Sequence, residues 1–234
     1  MKLRVLSPPS WQLARAITKW KTKLKIPLAR PDEKYDKLIL VGNGVQDAIA
    51  YLILTHKLDG TQVLGITKTE KTRLGTISHI PTIIRQLKIE KIVFSIDQED
   101  QELDDLKTQL ENTMRRKYGI NFNLEEEQNR LYIYNCSHLN RQFELIVTIN
   151  GLDIPSYTKH TIEDHLLLLF KELSNNDEKL TRAVSNARGN PKEAWRLLEK
   201  HHENVYLNLL DIEDEKLQKI FPQQITSIKR LKPS

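Results

Sequence analysis

The sequence is short of thiols, of long apolar runs and, over its first 30 residues, of acids. Cys136 is the single cysteine, which excludes an internal disulfide framework and points to a reducing, cytoplasmic compartment. No apolar run nears the roughly 18 residues of a bilayer span, so no integral membrane segment is expected. Repeats and low-complexity tracts are also absent. With 39% apolar and 29% charged residues, the 234-residue chain has the mixture of an ordinary globular protein. Residues 1–30 hold eight bases (Lys2, Arg4, Arg15, Lys19, Lys21, Lys23, Lys25 and Arg30) and no Asp or Glu. The net charge of +5 therefore hides two objects, because the other 204 residues carry 28 bases against 31 acids, a net of −3.

Within the basic segment, Ser7-Pro8-Pro9-Ser10 reads as a turn with Ser10 as a helix cap. Leu13, Ile17, Trp20 and Leu24 then recur on one helical face, and Pro27 and Pro31 close the helix into a linker. Three readings stand side by side. The apolar stripe docks on the body while the lysines stay in water; Arg15, Lys19, Lys21, Lys23 and Lys25 hold nucleic-acid phosphates; or the helix lies on a membrane surface. A targeting role is disfavoured by the missing apolar core and by a composition of Lys rather than Arg and Ser. Removal of residues 1–30 is expected to abolish salt-sensitive binding and leave the fold intact.

The body alternates between strands and helices. Residues 38–41, 62–67 and 91–96 read as buried strands, and 46–57, 77–87 and 100–118 as helices. This order predicts an α/β domain over 36–150 with a mostly parallel sheet and flanking helices. Residues 131–136 and 143–149 add two further strands. From 151 the pattern turns helical, over 161–173, 178–187, 191–202 and 213–221. Asn190 reads as the cap and Pro191 as the first helical residue of the third of these. This predicts a helical C-terminal extension over 151–234, which offers a surface for a protein partner.

Two polar clusters fall at strand ends, where ligands of a parallel sheet collect. One is Gly42-Asn43-Gly44-Val45-Gln46-Asp47 and the other is Asp97-Gln98-Glu99-Asp100. Asp97 and Glu99 project to one side and, with Asp100, suit Mg²⁺, which takes few carboxylates and keeps its waters. The plainer alternative is a solvated acidic loop at the positive end of the next helix. A dinucleotide fingerprint fails, because Asp47 stands where a third glycine is needed and Thr67-Lys68 end the second strand without an acid. His160 and His165, and the adjacent His201 and His202, do not have zinc spacing. Cys136, Tyr132 and Tyr134 read as packing residues on a strand.

A buried strand followed by an acid-Gly-x-x-Asp turn, with a later strand ending in Asp-x-Asp, resembles the Toprim domain. That family includes primases, topoisomerases and small nucleases of the overcoming-lysogenization-defect type. Leu40-Val41-Gly42-Asn43-Gly44-Val45-Gln46-Asp47 corresponds to its first motif and Ser95-Ile96-Asp97-Gln98-Glu99 to its second, over roughly residues 36–150. Gly151-Leu152-Asp153 and Thr161–Leu167 are similar to the tail of standalone Toprim-like proteins, so the likeness runs on to about residue 170. The resemblance implies a Toprim-like, Rossmann-like fold. It also implies a Mg²⁺-dependent phosphodiester hydrolase acting on nucleic acid. In that reading Asp97 and Glu99 hold the metal, Asp100 and Asp47 assist, and Lys68, Lys71 and Arg73 join the basic segment on the backbone.

The departures are informative. Asn43 occupies the place of the family's first-motif glutamate, and an amide neither takes up a proton near neutral pH nor brings charge to a cation. Glu163, beside Asp164, either supplies the missing carboxylate or belongs to an acidic first helical turn capped by Thr161 or Thr158. Two functions of different class therefore follow. One is the metal-dependent nuclease. The other is a catalytically degenerate module that binds nucleic acid, a nucleotide or a protein.

Overall fold

The computed structural model describes residues 1–6, 11–59, 61–174 and 177–232. The expected Ser7–Ser10 turn and cap lie outside the described residues. Seven strands form one sheet: β1 (Lys2–Val5), β2 (Lys37–Val41), β3 (Val63–Lys68), β4 (Lys91–Asp97), β5 (Asn121–Gln128), β6 (Leu131–His138) and β7 (Arg141–Asn150), in the order β1-β3-β2-β4-β7-β6-β5. The first five in that spatial order run parallel, and β6 and β5 are added antiparallel. The expected mostly parallel α/β sheet is therefore present.

Alternation along the strands builds two cores. Ile39, Val41, Leu64, Ile66, Val93 and Ile146 face one side, and Leu38, Leu40, Ile92, Phe94, Leu145 and Val147 face the other. The first face is covered by α1 (Trp11–Lys23) and α2 (Val45–Leu58), and by the C-terminal helices α5 (Ile162–Ser174), α6 (Asp177–Asn186), α7 (Pro191–Leu197), α8 (His202–Asp211), α9 (Asp214–Ile220) and α10 (Pro222–Arg230). The second is covered by the 3₁₀ segment Arg73–His79, α3 (Ile80–Gln86) and α4 (Leu103–Asn112). Because α2 is apolar nearly all round, it is buried without interruption from Asp47 to Thr55 between the sheet and α1, α5, α8 and α10. The C-terminal helices are thus the outer layer that a wholly buried crossover helix requires.

The N-terminal segment departs from its expected independence. Residues 2–5 pair with β3 as the sheet's edge strand, and the Met1 ammonium donates to the Thr55 carbonyl. Leu13, Ile17, Trp20 and Leu24 are all buried, and the Trp20 ring meets Tyr206 of α8 edge-on with centroids 4.6 Å apart. The docked-stripe reading holds for this helix. The expectation that residues 1–30 are dispensable for folding does not, because they supply a strand and a share of the first core. Boundaries shift elsewhere as well. The helix expected over 77–87 is a 3₁₀ segment followed by the short α3, and the one over 100–118 is α4 with a wider turn to Lys117.

Candidate functional site

The crossover from β2 runs to β3 on one side, and the next, from β3, runs back past β2 to β4 on the other, so the carboxyl ends of β2 and β4 flank the crevice where open α/β sheets collect ligands. Gly42 brings the β2 loop across this crevice. Its N–H donates to Ser95 O at 2.8 Å, and a Cβ there would sit 2.5 Å from Ile96 Cγ2, so only glycine fits. Asn43 then turns toward β4, and its Oδ1 accepts the Asp97 N–H at 3.0 Å. Asp47, in the first turn of α2, accepts the Gly44 N–H at 3.2 Å and is fully buried.

The centre of the site is Asn150, the last residue of β7, which is in register with Asp97. Its side-chain amide donates to Asp47 Oδ1 at 2.6 Å and to Asp97 Oδ1 at 3.0 Å. Its oxygen accepts from Gln224 of α10 at 2.8 Å and from Ser95 at 3.3 Å. One amide thus holds two carboxylates and is itself held by a C-terminal helix. Asp97 Oδ1 also takes the Ile162 N–H at the start of α5, at 3.2 Å.

A cation reaches the cluster from within the chain. Lys192 Nζ of α7 is 3.0 Å from Asp97 Oδ2 and also hydrogen-bonds Glu99 Oε1, while Lys159 Nζ is 3.4 Å from Glu99 Oε2. Asn190 caps α7 as expected, accepting the N–H groups of Lys192 and Glu193, and this fixes where Lys192 starts. Glu163 lies in the first turn of α5, 6% exposed, and its Oε2 has no hydrogen-bond partner among the described residues. Asp164 takes the capping role instead, accepting the Thr161 N–H at 3.2 Å and the Leu152 N–H at 3.0 Å.

Burial sets the charges. It raises the Asp47 carboxyl well above the usual range, with Asp97 and Glu163 adding repulsion. Burial and the Asp97 charge push Glu163 up to about 7. Burial likewise raises Asp97, against the pull of Lys192. At Glu99 burial is outweighed by Lys192 and Lys159, which hold its carboxyl below the ordinary value. Lys192 in turn has its ammonium stabilised by Asp97, Glu99 and Glu163 despite desolvation. Lys192 and Lys159 therefore converge on Asp97 and Glu99, and Lys192 favours the ionised form of both against their burial. His165 is a neutral spacer behind it. Burial lowers its pKa to about 4, its Nε2 accepts the Gly151 N–H, and its Nδ1 donates to Ile220 O.

The donor set is not arranged as a magnesium site. Among the described residues, no group of three or more His, Cys, Asp and Glu side chains is placed to hold a metal ion. The pair expected to carry the cation, Asp97 and Glu99, already shares the Lys192 ammonium. Asp100 is exposed and takes part in none of the bonds above. Mg²⁺, with its demand for octahedral oxygen ligands and retained water, would have to displace a lysine here.

The expected nucleic-acid residues separate into groups. Arg15, Lys19 and Lys25 are exposed on or just after α1, Lys21 is half-buried, and Lys23 pairs with Glu203. Lys68 and Lys71 line a groove walled by α3, away from the face that α1 covers. Arg73 bridges the two strand-end loops: its N–H donates to Gly42 O at 2.5 Å and its guanidinium to Gln101. Sequence reasoning missed Asn150, Gln224, Lys159 and Lys192. Asn150 carried a readable signal, since it ends a strand run as Asp97 does. Compared with protein-family models, curated proteins and solved structures, the chain finds no match.

Proposed function

We propose that this protein is a Toprim-like module that binds nucleic acid without cleaving it, its strand-end acids neutralised from within. The observation that carries this reading is Lys192, whose ammonium lies where the second-motif carboxylates of a metal-dependent nuclease would hold a cation. Asn43 supports it, because its side-chain oxygen is spent on the Asp97 N–H rather than on proton transfer. The binding face is the outer side of α1, where Arg15 and Lys19 stand in water, with Lys25 just past the helix end and Arg15 over the ring of Trp11, itself 67% exposed.

The convergence of Asp47, Asp97 and Glu163 favours a second reading, a Mg²⁺-dependent phosphodiester hydrolase in which Lys192 withdraws when the metal enters. Incubation of the protein with single- and double-stranded DNA and RNA, with and without millimolar Mg²⁺, separates the two. The binding module predicts retention of nucleic acid without cleavage. It also predicts that Arg15→Ala, Lys19→Ala and Lys25→Ala together lower the slope of log K against log salt by about three. Metal-dependent cleavage that disappears in Asp97→Ala would establish the hydrolase instead.

A further inference from the structure

The carboxyl edge of the sheet carries another lysine, and this one pairs with no carboxylate among the described residues. Lys68 ends β3 and is 9% exposed. Among the described residues no carboxylate pairs with it, and its ammonium makes one hydrogen bond, 3.3 Å long, to the carbonyl of Thr69. With one hydrogen bond made, the Lys68 ammonium keeps donors for a ligand in the groove that its side chain lines. Lys192, at the same edge, is answered by two carboxylates; Lys68 is answered by none.

Lys68 lines a groove of about 920 Å³ beyond the carboxyl ends of β1 and β3, closed by α3 and by the chain leading into β2. Grooves of this size suit a small organic ligand. Arg4 and Lys71 add positive charge to the lining, against the single acid Glu70, which is exposed. The other walls mix polar residues such as Thr82 and Gln86 with apolar ones, among them Leu28, Ile83 and the Tyr35 ring, which carries the Arg4 guanidinium 5.2 Å above its centroid. A cationic end and an apolar, partly aromatic body describe one kind of occupant.

We infer that this groove binds a phosphorylated small molecule with a planar or apolar body, of the size of a nucleoside monophosphate, with its phosphate on Lys68 and its body against Tyr35. The site is separate from the acidic cluster and from the outer face of α1, so it does not depend on the function proposed above. Charge-assisted hydrogen bonds of about 1.5–3 kcal/mol make Lys68 worth roughly 10- to 100-fold in affinity.

Calorimetric titration of the full chain with adenosine 5′-monophosphate, inorganic phosphate and adenosine tests this. The monophosphate is expected to bind most tightly, with phosphate and adenosine each weaker by at least about tenfold. Lys68→Met should remove most of that affinity while leaving the unliganded protein folded, since methionine keeps the unbranched apolar stem that packs in the wall. Lys71→Ala, at an exposed position, should weaken binding by a smaller factor and serves as the variant whose folding is not in question. The inference is overturned if neither phosphate compound binds at millimolar concentration, or if adenosine binds as well as its monophosphate. Monophosphate affinity that is unaltered in both Lys68→Met and Lys71→Ala would overturn it as well.

Discussion

Replacement of Glu163 by glutamine should stabilise the protein, and by an amount that depends on pH in a defined way. Glu163 is buried beside Asp97 and Asp47, has an unpartnered Oε2, and titrates near 7 rather than 4.5. A carboxyl whose folded pKa is raised leaves stability untouched below its unfolded value. It then withdraws stability as pH rises through the folded pKa. The penalty works out at under about 1 kcal/mol at pH 5, about 2 at pH 6 and about 3 above pH 7. Glutamine keeps the shape and never ionises, so Glu163→Gln should recover that amount. For a chain of this size the gain corresponds to a rise in Tm of roughly 6–12 °C at pH 8 and little at pH 5. Urea unfolding of both proteins at pH 5, 6, 7 and 8 measures the difference directly, with unchanged m-values showing that the native state stays intact. A stability difference that is flat across this range, or a loss of stability at pH 8, would refute the account of the cluster's charges.

Two further changes probe the same construction. Lys192→Met strips Asp97 of its cation and leaves Glu99 with Lys159 alone. Breaking a fully buried pair costs about 3–5 kcal/mol, and since the Lys192 side chain is 39% exposed the expected loss at pH 8 is about 2 kcal/mol. Protonation of the abandoned acids should shrink that loss at pH 5, so chemical denaturation at the two pH values checks both its size and its sign. Deletion of residues 1–30 removes β1 together with buried Leu3, Leu13, Ile17, Trp20 and Leu24, each contributing on the order of 1.5–3 kcal/mol. That sum rivals the whole stability of a typical domain, so the truncated chain should show no cooperative thermal transition by calorimetry. A normal transition would mean that this segment is a mere appendage.

The parallel sheet was legible because its strands are short apolar runs bounded by turn residues and separated by helix-length stretches. Asn43, Asp47, Asp97 and Glu99 were legible because strand ends are where polar residues of such a sheet converge. Three things were hidden for physical reasons. β1 lies in a segment dominated by lysine and arginine, and only its pairing with β3 makes Lys2–Val5 a strand. β5, with the sequence Asn-Phe-Asn-Leu-Glu-Glu-Glu-Gln, is an exposed edge strand whose acidic face carries no burial pattern. Lys192 is about a hundred residues from the carboxylates it neutralises, and no periodicity or spacing links them. Its arrival depends on how α7 docks over α5, a tertiary fact. Gln224 reaches Asn150 in the same way, from a helix that begins at Pro222 and follows α9 directly.

The two lysines at the carboxyl edge of the sheet show how one architecture leads to different outcomes. At the β2–β4 crevice, the place where a doubly wound sheet ordinarily holds its ligand, the protein fills the position itself. Lys192 engages Asp97 and Glu99, Asn150 engages Asp47 and Asp97, and Gln224 holds Asn150, so α7 and α10 are tied to the sheet through this cluster. Two strands along, β1 extends the sheet and borders a groove walled by α3, and Lys68 stands in its lining with no carboxylate paired to it among the described residues. The edge strand that the basic segment contributes therefore does more than complete the core. It brings Arg4 beside the end of β3 and so lines the basic groove to which the phosphorylated ligand is assigned.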